Sequence, residues 1–220
     1  MPRTAAQNAM IRDESQELLL QAATAVFTRM GYGPARMADI AREAGVSHGL
    51  AYRYFPTKDA MYVAVVDAVT EGAGRLVTEV EELPQSPIGH LREICARMLE
   101  GARESPAFVL IMLQAASSGA VPEQARDTLR RSALKVESGL AKLIAEAQAA
   151  GQTGAGDPNV LARALASTVC GMTAAEALGP TGVPRLGADV LMRLLAPTEA
   201  LPPEGLEIAA SGRRGGDGHD

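Results

Sequence analysis

The chain has 220 residues, 47% hydrophobic and 21% charged, a balance that suits a protein with a buried core. Only three Phe and four Tyr are present and no Trp, so Ala and Leu must fill space, which favours helix over strand. No run reaches the roughly 18 apolar residues of a membrane span. Residues 1–12 lack the apolar centre of a signal peptide. Cys95 and Cys170 stand alone without metal-ligand spacing, so the expected protein is cytoplasmic and reduced, with no metal or cofactor. The net charge of -5 hides an asymmetry: residues 1–58 sum to +2 and the remainder to -7. Such segregation is expected where one end meets phosphate.

Taken in chain order, residues 1–12 read as a flexible arm. A helix follows from about Asp13 to Met30, with Leu19, Ala22, Ala23, Val26, Phe27 and Met30 on one stripe and Gly31 ending it. Met37, Ile40, Ala41 and Ala44 repeat the spacing over two turns, and Gly45 stops them. A short helix from His48 to about Tyr54 comes next. A long helix runs from Lys58 to about Glu82 on Met61, Val65, Val66, Val69, Leu76 and Val80, closed by Pro84 and Pro87. Further helices are predicted at 88–104, 107–117, 123–150, 158–178 and 186–195. In 123–150 the residues Leu129, Ala133, Val136, Leu140, Leu143 and Ala147 alternate spacings of four and three, a bundle seam. The segment 158–178 is apolar on more than one face, with Ala166, Ser167, Gly171 and Ala174 between its larger residues, and needs cover on more than one side. Residues 197–220, rich in Pro, Gly and charge, read as a disordered tail.

The chemistry concentrates in Asp39 to Phe55. Ile40 and Ala41 face a core, and small Ala44 lets a second helix approach. Gly45 permits a left-handed turn, Val46 plugs the angle, and Ser47 caps the next helix. This is a helix-turn-helix, whose second helix is free to enter the major groove. With Ala51 and Phe55 inward, His48, Leu50, Tyr52 and Arg53 lie away from the core. Gly49 leaves room for a phosphate at the helix start, and Lys58 is free to reach the DNA backbone.

The stretch Met37–Ala68, preceded by "AVFTRMGYG", resembles the N-terminal domain of the TetR/AcrR family of transcriptional regulators. The shared positions are Ile40-Ala41, Ala44-Gly45-Val46-Ser47, Gly49, Tyr52-x-Tyr54-Phe55 and Lys58, and the resemblance covers roughly residues 13–66. It implies an all-α fold, with a three-helix DNA-binding domain at 13–58 and a helical ligand-binding and dimerisation bundle at 59–196. It implies a homodimer through the helices near 158–178 and 186–195, bound to a palindromic double-stranded operator. A repressor, not an enzyme, released by a small and largely apolar effector is the implied function. Ser47, Tyr52, Tyr54 and Lys58 match positions that contact phosphates; His48, Gly49 and Leu50 match positions near base edges. Two departures stand out. Arg36 replaces the usual Ser or Thr cap of the second helix, trading a cap for a cation, and Leu50-Ala51 replaces Thr-Leu, which offers an apolar contact, such as to a thymine methyl.

Other readings stay beside these. Phe55 is core, Tyr54 is divided between core and surface, Arg53 is a solvated charge, and His48 is either a DNA contact or an exposed first-turn residue. Met98, Phe108, Met112, Gln114, Cys170, Met172, Thr173 and Glu176 are candidate effector-pocket residues, each also readable as ordinary core filler. Glu176 needs an Arg, solvent at a dimer edge, or a cationic ligand. Both thiols read as buried and inert. His90 has no Asp, Ser or Cys beside it to form a catalytic set, and His219 belongs to the tail.

Overall fold

A computed structural model describes residues 5–104, 107–177 and 187–196, and these hold nine helices and no strand. The helices are α1 (Ala5–Met30), α2 (Met37–Glu43), α3 (His48–Tyr54), α4 (Lys58–Glu81), α5 (Pro87–Glu104), α6 (Ala107–Ser117), α7 (Glu123–Ala149), α8 (Pro158–Ala177) and α9 (Ala188–Arg193). The all-α expectation holds. The first helix differs: residues 5–12, expected as an arm, continue α1, because Ala5, Ala6, Gln7, Ala9, Met10 and Arg12 favour helix and no Gly or Pro interrupts them. Met30 lies at the helix end and is exposed, not part of the buried stripe. The last helix is shorter than its predicted span. The tail 197–220 and residues 178–186 lie outside the described residues.

Two apolar clusters form the interior. The first joins Leu19, Ala23, Val26 and Phe27 of α1 to Met37, Ile40, Ala51, Phe55 and the first turns of α4, and it also takes Ile111 of α6 and Leu129 of α7. The second joins the end of α4 to α5, the later part of α7, α8 and α9 through Val80, Leu91, Ile94, Leu140, Ile144, Leu165 and Leu191. Burying each large apolar side chain contributes roughly 1.5–3 kcal/mol.

α4 and α7 run through both clusters. α4 has 24 residues, a length of about 36 Å at 1.5 Å per residue. The predicted seam of α7 is buried at Leu129, Val136, Leu140, Leu143 and Ala147, while Ala133 is only partly covered. At Gly139 the Val77 side chain of α4 packs onto α7 so closely that an added Cβ would lie 2.6 Å from Val77 Cγ1. Glycine is required there by packing.

On α8 one face is covered, with Ala162, Leu165, Val169 and Thr173 buried. The other presents Val160, Ala164, Ser167, Gly171 and Ala175 to solvent, and Val160 is 64% exposed. Val190 and Leu194, on and just after α9, are exposed as well.

Candidate nucleic-acid interface

The turn between α2 and α3 is built as the sequence predicts. Gly45 has φ +66, the N–H of Gly45 bonds to Arg42 O at 3.2 Å, and the N–H of Val46 bonds to Ala41 O at 3.0 Å. Those two bonds form a Schellman closure, with glycine at the left-handed position that other residues enter at a steric cost. Ser47 Oγ then accepts from Leu50 N at 3.2 Å and caps α3. Ala51 and Phe55 anchor α3 in the first cluster.

What remains of α3 faces outward. His48, Gly49, Tyr52 and Arg53 are exposed, and Leu50 and Tyr54 are half-buried, with Tyr54 packed against the cluster. The rings of His48 and Tyr52 meet edge to face with centroids 4.8 Å apart, so neighbouring turns present one continuous surface. A Cβ at Gly49 would touch nothing within 4 Å, so the protein's own packing does not demand glycine there.

At the start of α2, Arg36 is exposed and its side chain caps nothing. Its backbone N–H instead bonds to Asp39 Oδ2 at 3.2 Å. Asp39 also takes Arg42 at 2.6 Å, and Glu43 takes Arg29 at 2.9 Å. Among the described residues no ion pair engages Arg36 or Arg53, so neither guanidinium has a carboxylate to leave before meeting an external anion.

Lys58 corrects the sequence reading. Its ammonium is not free: it donates to Tyr32 O at 2.9 Å and Gly33 O at 3.1 Å, and lies 4.3 Å from the Tyr32 ring centre. Of its three N–H donors, one is left for a phosphate. The neighbouring Asp59 accepts from the Tyr32 hydroxyl. Burial first, and then this bond to Asp59, raise the Tyr32 pKa. Tyr32 also stacks on Phe27 and meets Tyr62 edge-on at 4.9 Å. The loop after α1 is thus tied to the first turn of α4, which fixes where the helix-turn-helix sits. Thr57, which caps α4 by accepting from Ala60 N at 3.0 Å, belongs to the same joint. Thr at a helix start after Pro56 was a readable capping signal; the Tyr32–Lys58–Asp59 contacts span more than 25 residues and had none.

Among the described residues the candidate effector side chains do not converge. Met112 packs on the first cluster, and Gln114 Nε2 donates to Thr28 O at 3.3 Å, tying α6 to α1. Met98 and Met172 pack on the second cluster, and Thr173 donates back to Val169 O within α8. The side chains of Phe108 and Glu176 lie outside the described residues. Two clefts open on the surface instead. One of about 310 Å³ lies between α7 and α8 at Leu134, Glu137, Val160 and Arg163. Another of about 360 Å³ lies between α4 and α7. None of the candidate residues lines either. Burial pushes the Cys95 thiol up to about 12 and raises that of Cys170, so both stay protonated. No cluster of metal-ligating residues occurs among the described residues, and no helix there is long and apolar enough to cross a membrane.

Two family models match the chain, one over its N-terminal helices and one over the rest, although the first cluster draws on both stretches. Residues 19–65 match the family of bacterial regulatory proteins of the TetR type, and residues 87–198 match the C-terminal domain of BetI-type transcriptional repressors. An uncharacterised helix-turn-helix regulator of Bacillus subtilis, YuxN, is 24% identical over 127 residues, 56% of this chain and 43% of that one. The transcriptional activator FasR of Mycolicibacterium smegmatis is 44% identical over 59 residues, 27% of each chain. The chain therefore spans less than half the length of these relatives. A TetR-family regulator from Agrobacterium tumefaciens superposes with a TM-score of 0.71 at 18% identity, covering 84% of this chain and 99% of the other.

Proposed function

Because the chain belongs to the TetR family of bacterial regulatory proteins, we propose that it is a sequence-specific DNA-binding transcription regulator, and specifically a repressor. The observation that carries this reading is the outward face of α3, where His48, Gly49, Tyr52 and Arg53 are exposed on a helix held by Ala51, Phe55 and the Ser47 cap. Arg36 at the start of α2 adds an exposed cation that has no ion pair among the described residues. Repression is favoured over activation because the body matches a repressor model, whereas the likeness to the activator FasR is confined to 59 residues.

Two copies joined through α8 and α9 would present their recognition helices about one DNA turn apart, to a palindromic site. The uncovered small-residue face of α8 and exposed Val190 and Leu194 support that pairing. An effector taken up by the body releases DNA only by binding the DNA-incompetent conformer more tightly.

The test is selection of a binding site from random duplexes, followed by fluorescence anisotropy across a salt series. Tyr52→Ala combined with Arg36→Ala weakens binding at least ~10-fold and lowers the salt slope by about 1–2, with the oligomeric state unchanged. Lys58→Ala is the poorer probe, since it also unties the loop at Tyr32 and Gly33. Unaltered affinity in the double variant overturns the assignment.

A further inference from the structure

The two apolar clusters are separated by a polar seam. Along α4 the first cluster ends near Val69 and the second begins at Leu76; along α7 they are bounded by Leu129 and Val136. Around this gap, Asp67, Thr70, Glu71, Gly74 and Arg75 of α4 face Thr128, Arg131, Ser132 and Lys135 of α7 across the 360 Å³ cleft. On each helix the residues follow three- and four-residue spacing, so each presents a single stripe to the other.

The charges in the seam are unevenly satisfied. Glu71 is taken by Arg75 at 3.1 Å. Among the described residues Arg131 donates only to the Thr128 hydroxyl, at 3.1 Å, and Lys135 has no ion pair. Asp67 is the one carboxylate left to oppose them, so the cleft lining carries a net charge of +1 in a body that is strongly acidic. Ser132 Oγ, on the cleft lining, is buried with no hydrogen-bond partner. A buried hydroxyl with no partner costs free energy unless something fills the site.

α4 is also weak here. Gly72 and Gly74 lie inside the helix, each disfavouring it by about 1 kcal/mol relative to Ala. Nothing within 4 Å requires glycine at 72, and at 74 the nearest atom to an added Cβ is Lys135 Nζ at 3.4 Å. The helix joining the two clusters therefore has low intrinsic helix propensity beside these cations.

We propose that this seam binds a small anionic ligand bearing a phosphate or carboxylate group, held by Lys135 and Arg131 with the hydroxyls of Ser132 and Thr128, bridging α7 to α4 at Gly74. This binding does not depend on the DNA-binding reading above.

The experiment follows thermal unfolding of the full chain in increasing inorganic pyrophosphate against sodium chloride at equal ionic strength. The wild-type protein gains a saturable rise of roughly 5–10 °C at about 100 times the Kd. Arg97→Gln, remote from the seam, keeps that rise, and Arg131→Gln with Lys135→Gln loses it. Should the double variant not fold, Lys135→Gln and Ser132→Ala alone each move the pyrophosphate midpoint at least ~3-fold higher. A wild-type response no larger than that to chloride overturns the site. So does an unchanged response in the seam variants, which would place the anion on the cations near α3. Because no DNA is present, failure to find an operator would strike the regulator reading and leave this result standing.

Discussion

The two clusters are built from different materials. The first contains Phe27, Tyr32, Phe55 and Tyr62, with Phe27 and Tyr62 meeting edge-on at 4.9 Å and Tyr32 completing the set. Among the described residues the second is Leu, Ile, Val, Ala and Met with one Cys, and no aromatic. Interlocked rings have few favourable mutual geometries, whereas aliphatic side chains of similar volume can exchange and repack. A unit that presents a recognition helix to a fixed groove needs one geometry. A unit that accommodates an effector, as proposed above for the body, would gain from having several.

The widest gap between them should appear in substitution tolerance. Phe27→Ala is expected to cost about 3–5 kcal/mol in urea unfolding. Phe27→Leu should still cost more than the roughly 1.5 kcal/mol that bounds volume-conserving aliphatic exchanges, a limit within which Leu140→Met should fall. Equal tolerance at the two sites would break the comparison.

The second effect lies where α4 and α7 connect the clusters. Gly139→Ala places a methyl 2.6 Å from Val77 Cγ1, and overpacking of this kind costs about 1–3 kcal/mol. Val77→Ala should relieve it, so the double variant is less destabilised than the two single losses added together. Strict additivity would mean that the helices are not held apart by this contact.

Next comes the cap of α3. Ser47→Ala removes the bond to Leu50 N and should lower stability by about 1 kcal/mol, while weakening operator affinity more than the same loss of stability placed in the second cluster. This cap was legible in the sequence because capping, turn closure and helical spacing are local: Gly45, Ser47, Ala51 and Phe55 each act within a few residues. Lys58 was not, since its carbonyl partners lie 25 and 26 residues away and a lysine opening a helix looks free. Gly139 was passed over for the same reason, its neighbour being Val77 on another helix. The pocket residues were chosen by type, and Met or Cys identity says nothing about which cluster a side chain joins; hence Met112 and Met172 sit in different ones.

The smallest expected change at neutral pH is the most selective. Tyr62 is fully buried, its hydroxyl has no partner, and burial pushes its pKa from 10.0 up to about 12. Tyr62→Phe keeps the ring and removes an unsatisfied donor, so stability at pH 7 should be unchanged or slightly higher. In alkali the variants separate. The folded state holds the phenolic proton more tightly than the unfolded chain does. The stability linked to it is therefore complete below about pH 10 and lost as pH rises through about 12. Cys95 in the second cluster follows the same sign over a window opening near pH 9, and buried Tyr32 adds to the loss in the first. Denaturant titrations between pH 9 and 11.5 should show a shallower decline for Tyr62→Phe, and Cys95→Ala should flatten mainly its earlier part. If Tyr62→Phe left the decline unaltered, the aromatic cluster would be open enough to hydrate its phenol, and its rigidity relative to the second cluster would have to be abandoned.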